Sequence, residues 1–276
     1  MLKTALHLAS GAAALMIAAG PAAAQERAPW TGPYVGGQLG YTFNSEEKNE
    51  TIEFDTNLDG NFGDTVRTSG GANAFSPGFC SGSATGTAPT STCDDDEDSI
   101  SGSIHAGYDY QMGSLVVGLV GEYGRTSVRD SVSAFSTTPA SYTMTRELRD
   151  NASLRARLGY AAGDTLFYAT GGVAWGRLRN RFSTSNTVNT FTGNGDEDAW
   201  GYRVGAGIEQ RLSPSFSIGL LYTYTSLDAD EYRVRAGGPA PATNPFILVN
   251  SGGTDFRRTG TDFNTQAVAV TASLRF

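Results

Sequence analysis

Eight stretches of the chain alternate apolar and polar side chains with period two: 33–43, 99–112, 115–128, 147–162, 165–182, 199–212, 215–227 and 264–276. Period two marks a β-strand with two unlike faces. In 99–112 one parity carries Ile100, Ile104, Ala106, Tyr108, Tyr110 and Met112, and the other carries Ser99, Ser101, Ser103, His105, Gly107 and Asp109. In 147–162, Leu154, Leu158 and Tyr160 stand opposite Arg155 and Arg157. The stretch 199–212 sets Trp200, Tyr202, Val204 and Ile208 against Arg203 and Glu209, and 264–276 sets Val268, Val270, Ala272, Leu274 and Phe276 against Ser273 and Arg275.

The connections are as informative as the strands. Tight turns around Gly113, Gly163 and Pro214 alternate with long polar connections of about 55, 20, 15 and 35 residues. An up-and-down barrel sorts its connections this way when every long loop leaves one side of a membrane, whereas Greek-key crossings in a sandwich do not. Aromatics gather near the strand ends (Tyr108, Tyr110, Tyr160, Trp200, Tyr202, Tyr222, Phe276), as an interfacial girdle requires. The predicted fold is therefore all-β: an eight-stranded antiparallel up-and-down transmembrane β-barrel, with long extracellular loops, short periplasmic turns and its apolar face towards lipid. No separate helical unit or linker is expected.

An inside-out barrel changes the meaning of the charged parity. Eight strands leave an interior that side chains fill, and an unpaired charge buried there is costly. The predicted lumen set holds Asp109, Glu122 and Glu209 against Arg155, Arg157, Arg203 and Arg275. This near balance predicts an ion-pair network along the axis, with snorkelling at a membrane rim as the alternative for Arg155 and Arg157.

Composition and charge refine the picture. Lys3, the apolar run 5–20 and small residues at 22–24 read as a signal peptide over 1–24, cut before Gln25, which leaves 25–276 as one barrel domain of a chain exported to the outer membrane of a Gram-negative cell. The net charge is −8, with twelve acidic and two basic residues between 44 and 98. A segment that acidic excludes nucleic acid as a partner and suits a solvated loop 1, or one that holds cations. Cys80 and Cys93 are expected to form a disulfide within it.

The opening WTGPYVGGQLGYTF places Trp30, Gly32, Tyr34, Gly36, Gly40 and Tyr41 in a W-x-G-x-Y-x-G-x-x-x-G-Y pattern. It resembles the start of the small outer-membrane porin family of alphaproteobacteria, surface-antigen barrels of the opacity-protein type. The closing VAVTASLRF, with Val270, Ala272, Leu274 and Phe276 on one parity, looks like their assembly signal. The resemblance spans most of the chain past residue 24 and implies outer-membrane lipid, lipopolysaccharide and the barrel-assembly machinery as partners. Pro33 departs from it, standing where an aromatic is common, and loop 1 is longer than in many members.

One loop motif carries candidate chemistry. Asp55, Asn57, Asp59 and Gly60, followed by Asn61 and Asp64, match the first half of a calcium loop. Val66 stands where the bidentate glutamate belongs, so an acid from 94–98 or Asp64 would have to complete the site. The alternative is an acidic, solvated turn. No other cofactor is expected. Enzymatic readings are weak, because His105, the one histidine beyond residue 24, lies on the lumen parity. The expected function is a structural and antigenic envelope barrel with a filled lumen; the alternatives are a passive pore for very small solutes, or a binder of an unidentified extracellular ligand through loops 1 and 4. The Phe246–Val249 run in loop 4 is either a hairpin extension or a contact patch.

Overall fold

The structure is a computed structural model that describes residues 29–44, 50–88 and 90–276; the expected signal peptide lies outside the described residues. In chain order the strands are β1 (Gly32–Asn44), β2 (Ile52–Asp55), β3 (Gly78–Ser81), β4 (Ser83–Ala84), β5 (Cys93–Asp94), β6 (Ser99–Met112), β7 (Leu115–Arg125) and β8 (Arg129–Ser136). They continue with β9 (Ala140–Ala162), β10 (Thr165–Thr184), β11 (Thr190–Gly193), β12 (Glu197–Ser213), β13 (Phe216–Asp228), β14 (Arg233–Gly237), β15 (Thr254–Arg258) and β16 (Asp262–Arg275).

Eight of these pair antiparallel in a closed ring, β1-β6-β7-β9-β10-β12-β13-β16, and β16 returns to β1 with Tyr34 opposite Arg275. Closure leaves no free edge on the ring, so every ladder is paired, as a wall in lipid requires. The apolar parity faces outward: Leu39, Ile104, Leu119, Leu154, Leu158, Val173, Leu220 and Val270 are all exposed. Aromatics ring both ends of this band. Tyr108, Tyr110, Tyr160, Phe167 and Phe276 lie near the short turns, and Tyr41, Tyr123, Trp200, Tyr202 and Tyr222 lie near the long connections.

The long connections differ from the polar loops expected of them. β9 begins at Ala140 and β10 continues to Thr184, so this hairpin rises beyond the wall, flanked by β8 and β3. The alternation expected to run to 128 breaks after Arg125, and β8 starts at Arg129. Segments of loops 1, 3 and 4 form a second sheet, β11-β14-β15-β2. Ile52, Phe54, Phe75, Val132, Tyr142, Met144, Val234, Phe246 and Phe256 share one buried core between these layers. The apolar residues that build this cap are scattered among Ser, Thr, Gly and Asn, which hides their periodicity. Phe246 enters that core, while Leu248 and Val249 stay exposed. The expected disulfide joins Cys80 on β3 to Cys93 on β5, within the cap.

Candidate functional site

All seven predicted lumen charges point inward and are buried; Asp109 is wholly enclosed and Arg155 is 2% exposed. They assemble in two layers. In the layer nearer the cap, Glu122 on β7 accepts from Arg155 on β9, and from Arg203 Nη1 on β12 at 2.9 Å. Arg203 also donates to Thr225 Oγ1 at 2.8 Å and to Asn151 Oδ1 at 3.0 Å. In the layer nearer the turns, Asp109 accepts from Arg157 and from Arg275, each at 3.0 Å. Glu209 accepts from the same two guanidiniums, from Arg275 at 3.0 Å, and from the Ser217 hydroxyl. A ring of two acids and two bases closes across four strands, so charge-assisted bonds offset the desolvation that burial imposes. Arg155 and Arg157 do not snorkel.

Aromatic and glycine positions complete the packing. The Arg157 guanidinium lies 3.8 Å from the Tyr168 ring centroid, and Arg275 lies 4.5 Å from Trp30 and 4.7 Å from Tyr34. A guanidinium held over an aromatic face favours arginine over lysine. Tyr34 fits because Gly107 faces it: a Cβ on that glycine would stand 2.5 Å from the tyrosine ring. Likewise a Cβ on Gly36 would sit 2.5 Å from His105 Nε2, whose partner is Ser273 Oγ at 2.9 Å. His105 is thus a lumen group engaged in packing.

Apolar clusters close both ends of the ionic section. Towards the cap, Val128, Leu148, Ala174, Leu178, Ala199, Leu227 and Phe263 form one cluster. Towards the turns, Trp30, Val116, Ala161 and Leu166 form another, with Tyr168 packed on it. Among the described residues, lumen cavities of about 40 and about 30 Å³ lie between them. Sequence reading missed these plugs. Leu166 and Leu178 sit on the lumen parity at the strand ends, where a lone apolar residue reads as noise; Leu148 shares the parity of Leu154 and Leu158 and turns inward because the β9–β10 register shifts between Gly176 and Leu178.

A second buried ionic cluster, also missed, lies at the base of the cap. Asp130 accepts from Arg146 at 3.0 Å and from Arg258 at 2.7 Å, and Arg258 also reaches Glu50 at 2.5 Å. Burial alone would raise both acids. At Asp130 the two arginines outweigh it and hold the carboxyl below its usual range, whereas burial prevails at Glu50 and pushes it up. Asp96 docks beside them, accepting from Ser131 N at 2.7 Å and Asn44 Nδ2 at 3.2 Å. Burial, with the negative charge of Asp130 adding to it, pushes the Asp96 carboxyl up to about 7.

The calcium-loop residues turn their oxygens onto their own backbone. Asp55 accepts from the amides of Leu58 at 2.6 Å and Gly60 at 2.8 Å. Asp59 accepts from the Asn61 amide at 2.8 Å, Asn57 from the Asp59 amide at 2.9 Å, and Asp64 from the Thr56 amide at 2.9 Å. Asp96, Glu97 and Asp98 dock elsewhere: Asp96 on Ser131, Glu97 on Arg129 and Asp98 on the Asn44 amide. They do not complete the 55–64 turn. No cluster of three His, Cys, Asp or Glu side chains able to hold a metal occurs among the described residues. The geometry is that of a self-capped Asx turn. Val270, Ala272 and Leu274 face outward on β16, paired to β1, and Phe276 follows the strand, exposed.

A family model described as the outer membrane protein beta-barrel domain matches residues 11–276. The 31 kDa outer-membrane immunogenic protein of Brucella melitensis biotype 1 is 26% identical over 200 residues, covering 72% of this chain and 71% of that protein. The 22 kDa outer membrane protein of Rhizobium leguminosarum bv. viciae is 29% identical over 136 residues, covering 49% of this chain and 56% of that protein. Among solved structures, the outer membrane protease OmpT from Escherichia coli aligns over 89% of this chain and 96% of its own, at 10% identity and a TM-score of 0.41. A likeness that loose carries no argument here.

Proposed function

This chain belongs to the outer membrane protein beta-barrel domain family, and from that premise we propose that it is a sealed envelope barrel whose task is to anchor and present its folded cap at the cell surface. One observation carries the reading: a two-layer ion network lies between two apolar plugs, with lumen cavities of about 30–40 Å³ among the described residues. Such spaces hold a few waters, and apolar constrictions resist wetting. The name of the Brucella relative, an outer-membrane immunogenic protein, supports surface presentation. Outer-membrane lipid and lipopolysaccharide are the partners of the apolar band, and the barrel-assembly machinery is the partner of the β16 signal. No catalytic role is proposed.

The test is conductance of the purified protein in a planar bilayer. The wild type adds no resolvable current, and liposomes containing it do not swell in small sugars. Sustained, reproducible wild-type current steps would replace this reading with that of a pore for very small solutes.

A further inference from the structure

The two ionic layers do not balance. Four guanidiniums, from Arg155, Arg157, Arg203 and Arg275, face three carboxylates, from Asp109, Glu122 and Glu209. One positive charge is left over in an interior where an uncompensated charge is among the costliest things to bury. The surplus is located at Arg155. Its one acid contact is through Nη2 to Glu122, which Arg203 shares. Its Nε and Nη1 have no acceptor, although the residue is 2% exposed.

Arg155 lines the lumen cavity of about 30 Å³. Tyr34 lines it too, and its buried hydroxyl has no partner. Glu209 also borders the cavity, but Arg157, Arg275 and Ser217 occupy its oxygens. His105 spends its Nε2 on Ser273.

We propose that this cavity holds one small monovalent anion of the halide class, bound by the free N–H groups of Arg155 and neutralising the fourth guanidinium. The inference rests on the sealed-lumen reading. Size and charge select the ligand class. At about 30 Å³ the space takes a guest the size of one or two waters, which a compact single-atom anion matches. A water would meet the N–H groups but leave the charge. A halide meets both needs and is trapped as the barrel closes around it.

Two measurements on the refolded wild type test this. Crystals grown in sodium bromide show one anomalous peak inside the lumen beside Arg155. The unfolding midpoint in detergent is higher in sodium chloride than in sodium gluconate at equal ionic strength. Arg155→Met abolishes both the peak and the salt-specific shift, and if that variant does not fold, the wild-type peak still decides. Water density with no anomalous signal at Arg155, or equal midpoints in the two salts, overturns the proposal. Bilayer recordings on the same preparation separate the two readings: a silent bilayer without a bromide peak sinks only the anion, while wild-type current without a peak sinks both.

Discussion

Arg157 shows how much a single side chain holds in this interior. It donates to Asp109 and Glu209, stacks on Tyr168 and is nearly fully buried. Its loss leaves two buried carboxylates sharing Arg275 alone. Arg157→Met is expected to cost about 3–5 kcal/mol in urea unfolding from micelles, the scale seen when one partner of a buried pair is removed. Adding Glu209→Gln should recover part of that loss, because the stranded charge goes with it. A single-variant loss below about 1 kcal/mol would mean that the pair is screened as a surface pair is. The parity of 147–162 put Arg157 in the lumen, and the other six charges followed by the same rule. Parity did not single out Tyr34, Tyr168 and Trp30 as stacking partners, because an aromatic on the lumen side looks in sequence like one displaced from the girdle.

Among the elements, the segment 94–98 docked on β8 is expected to respond to pH. Asp96 titrates at about 7 when docked, because burial and then Asp130 disfavour its charge, against roughly 3.9 in a free chain. The docked form therefore holds a proton that the undocked form releases between these values. Docking is strongest below about pH 4 and is lost progressively as pH rises through about 7. Hydrogen exchange at the Ser131 amide, which donates to Asp96, is expected to quicken from pH 5 to pH 8 beyond the intrinsic rate increase. Asp96→Asn should flatten that excess. An excess that persists in the variant would place the titration elsewhere. Neither β8 nor this docking was legible in the sequence, where 115–128 reads as one strand and 94–98 as a solvated acidic run. The pairing that docks Asp96 on β8 joins residues 35 positions apart.

The whole molecule is two bodies of opposite construction on one continuous set of strands. Below, the wall is apolar outside and ionic inside; above, the cap is polar outside and apolar inside. β9 and β10 pass from one to the other through a register shift between Gly176 and Leu178. β10 moves its greasy parity from Val173 to Leu178 and Phe182, while β9 keeps even parity, with Leu154 and Leu158 outward below and Tyr142 and Met144 inward above. Phe256 sits at the centre of the cap core, with rings of Phe54, Phe246 and Tyr142 around it. Phe256→Ala is expected to remove about 3–5 kcal/mol from that core. The cap should become open to protease while the barrel keeps its heat-dependent gel mobility, since the closed ladder does not depend on the cap. Loss of the heat shift together with the cap would show that the two fold as one unit.

Local pattern was enough for the barrel wall: the eight membrane-crossing strands, which face of each meets lipid, the two aromatic belts and seven of the inward charges. These follow from period two, a local property that survives whatever the strands pair with. It took the folded molecule to show which guanidinium meets which carboxylate, that Arg155 keeps unpaired N–H groups beside one cavity, that apolar plugs close both ends, and that the long connections fold into a cap. Each depends on contacts such as Arg275 with Asp109, 166 residues apart, and barrel closure brings such residues together through strand register that no local pattern records.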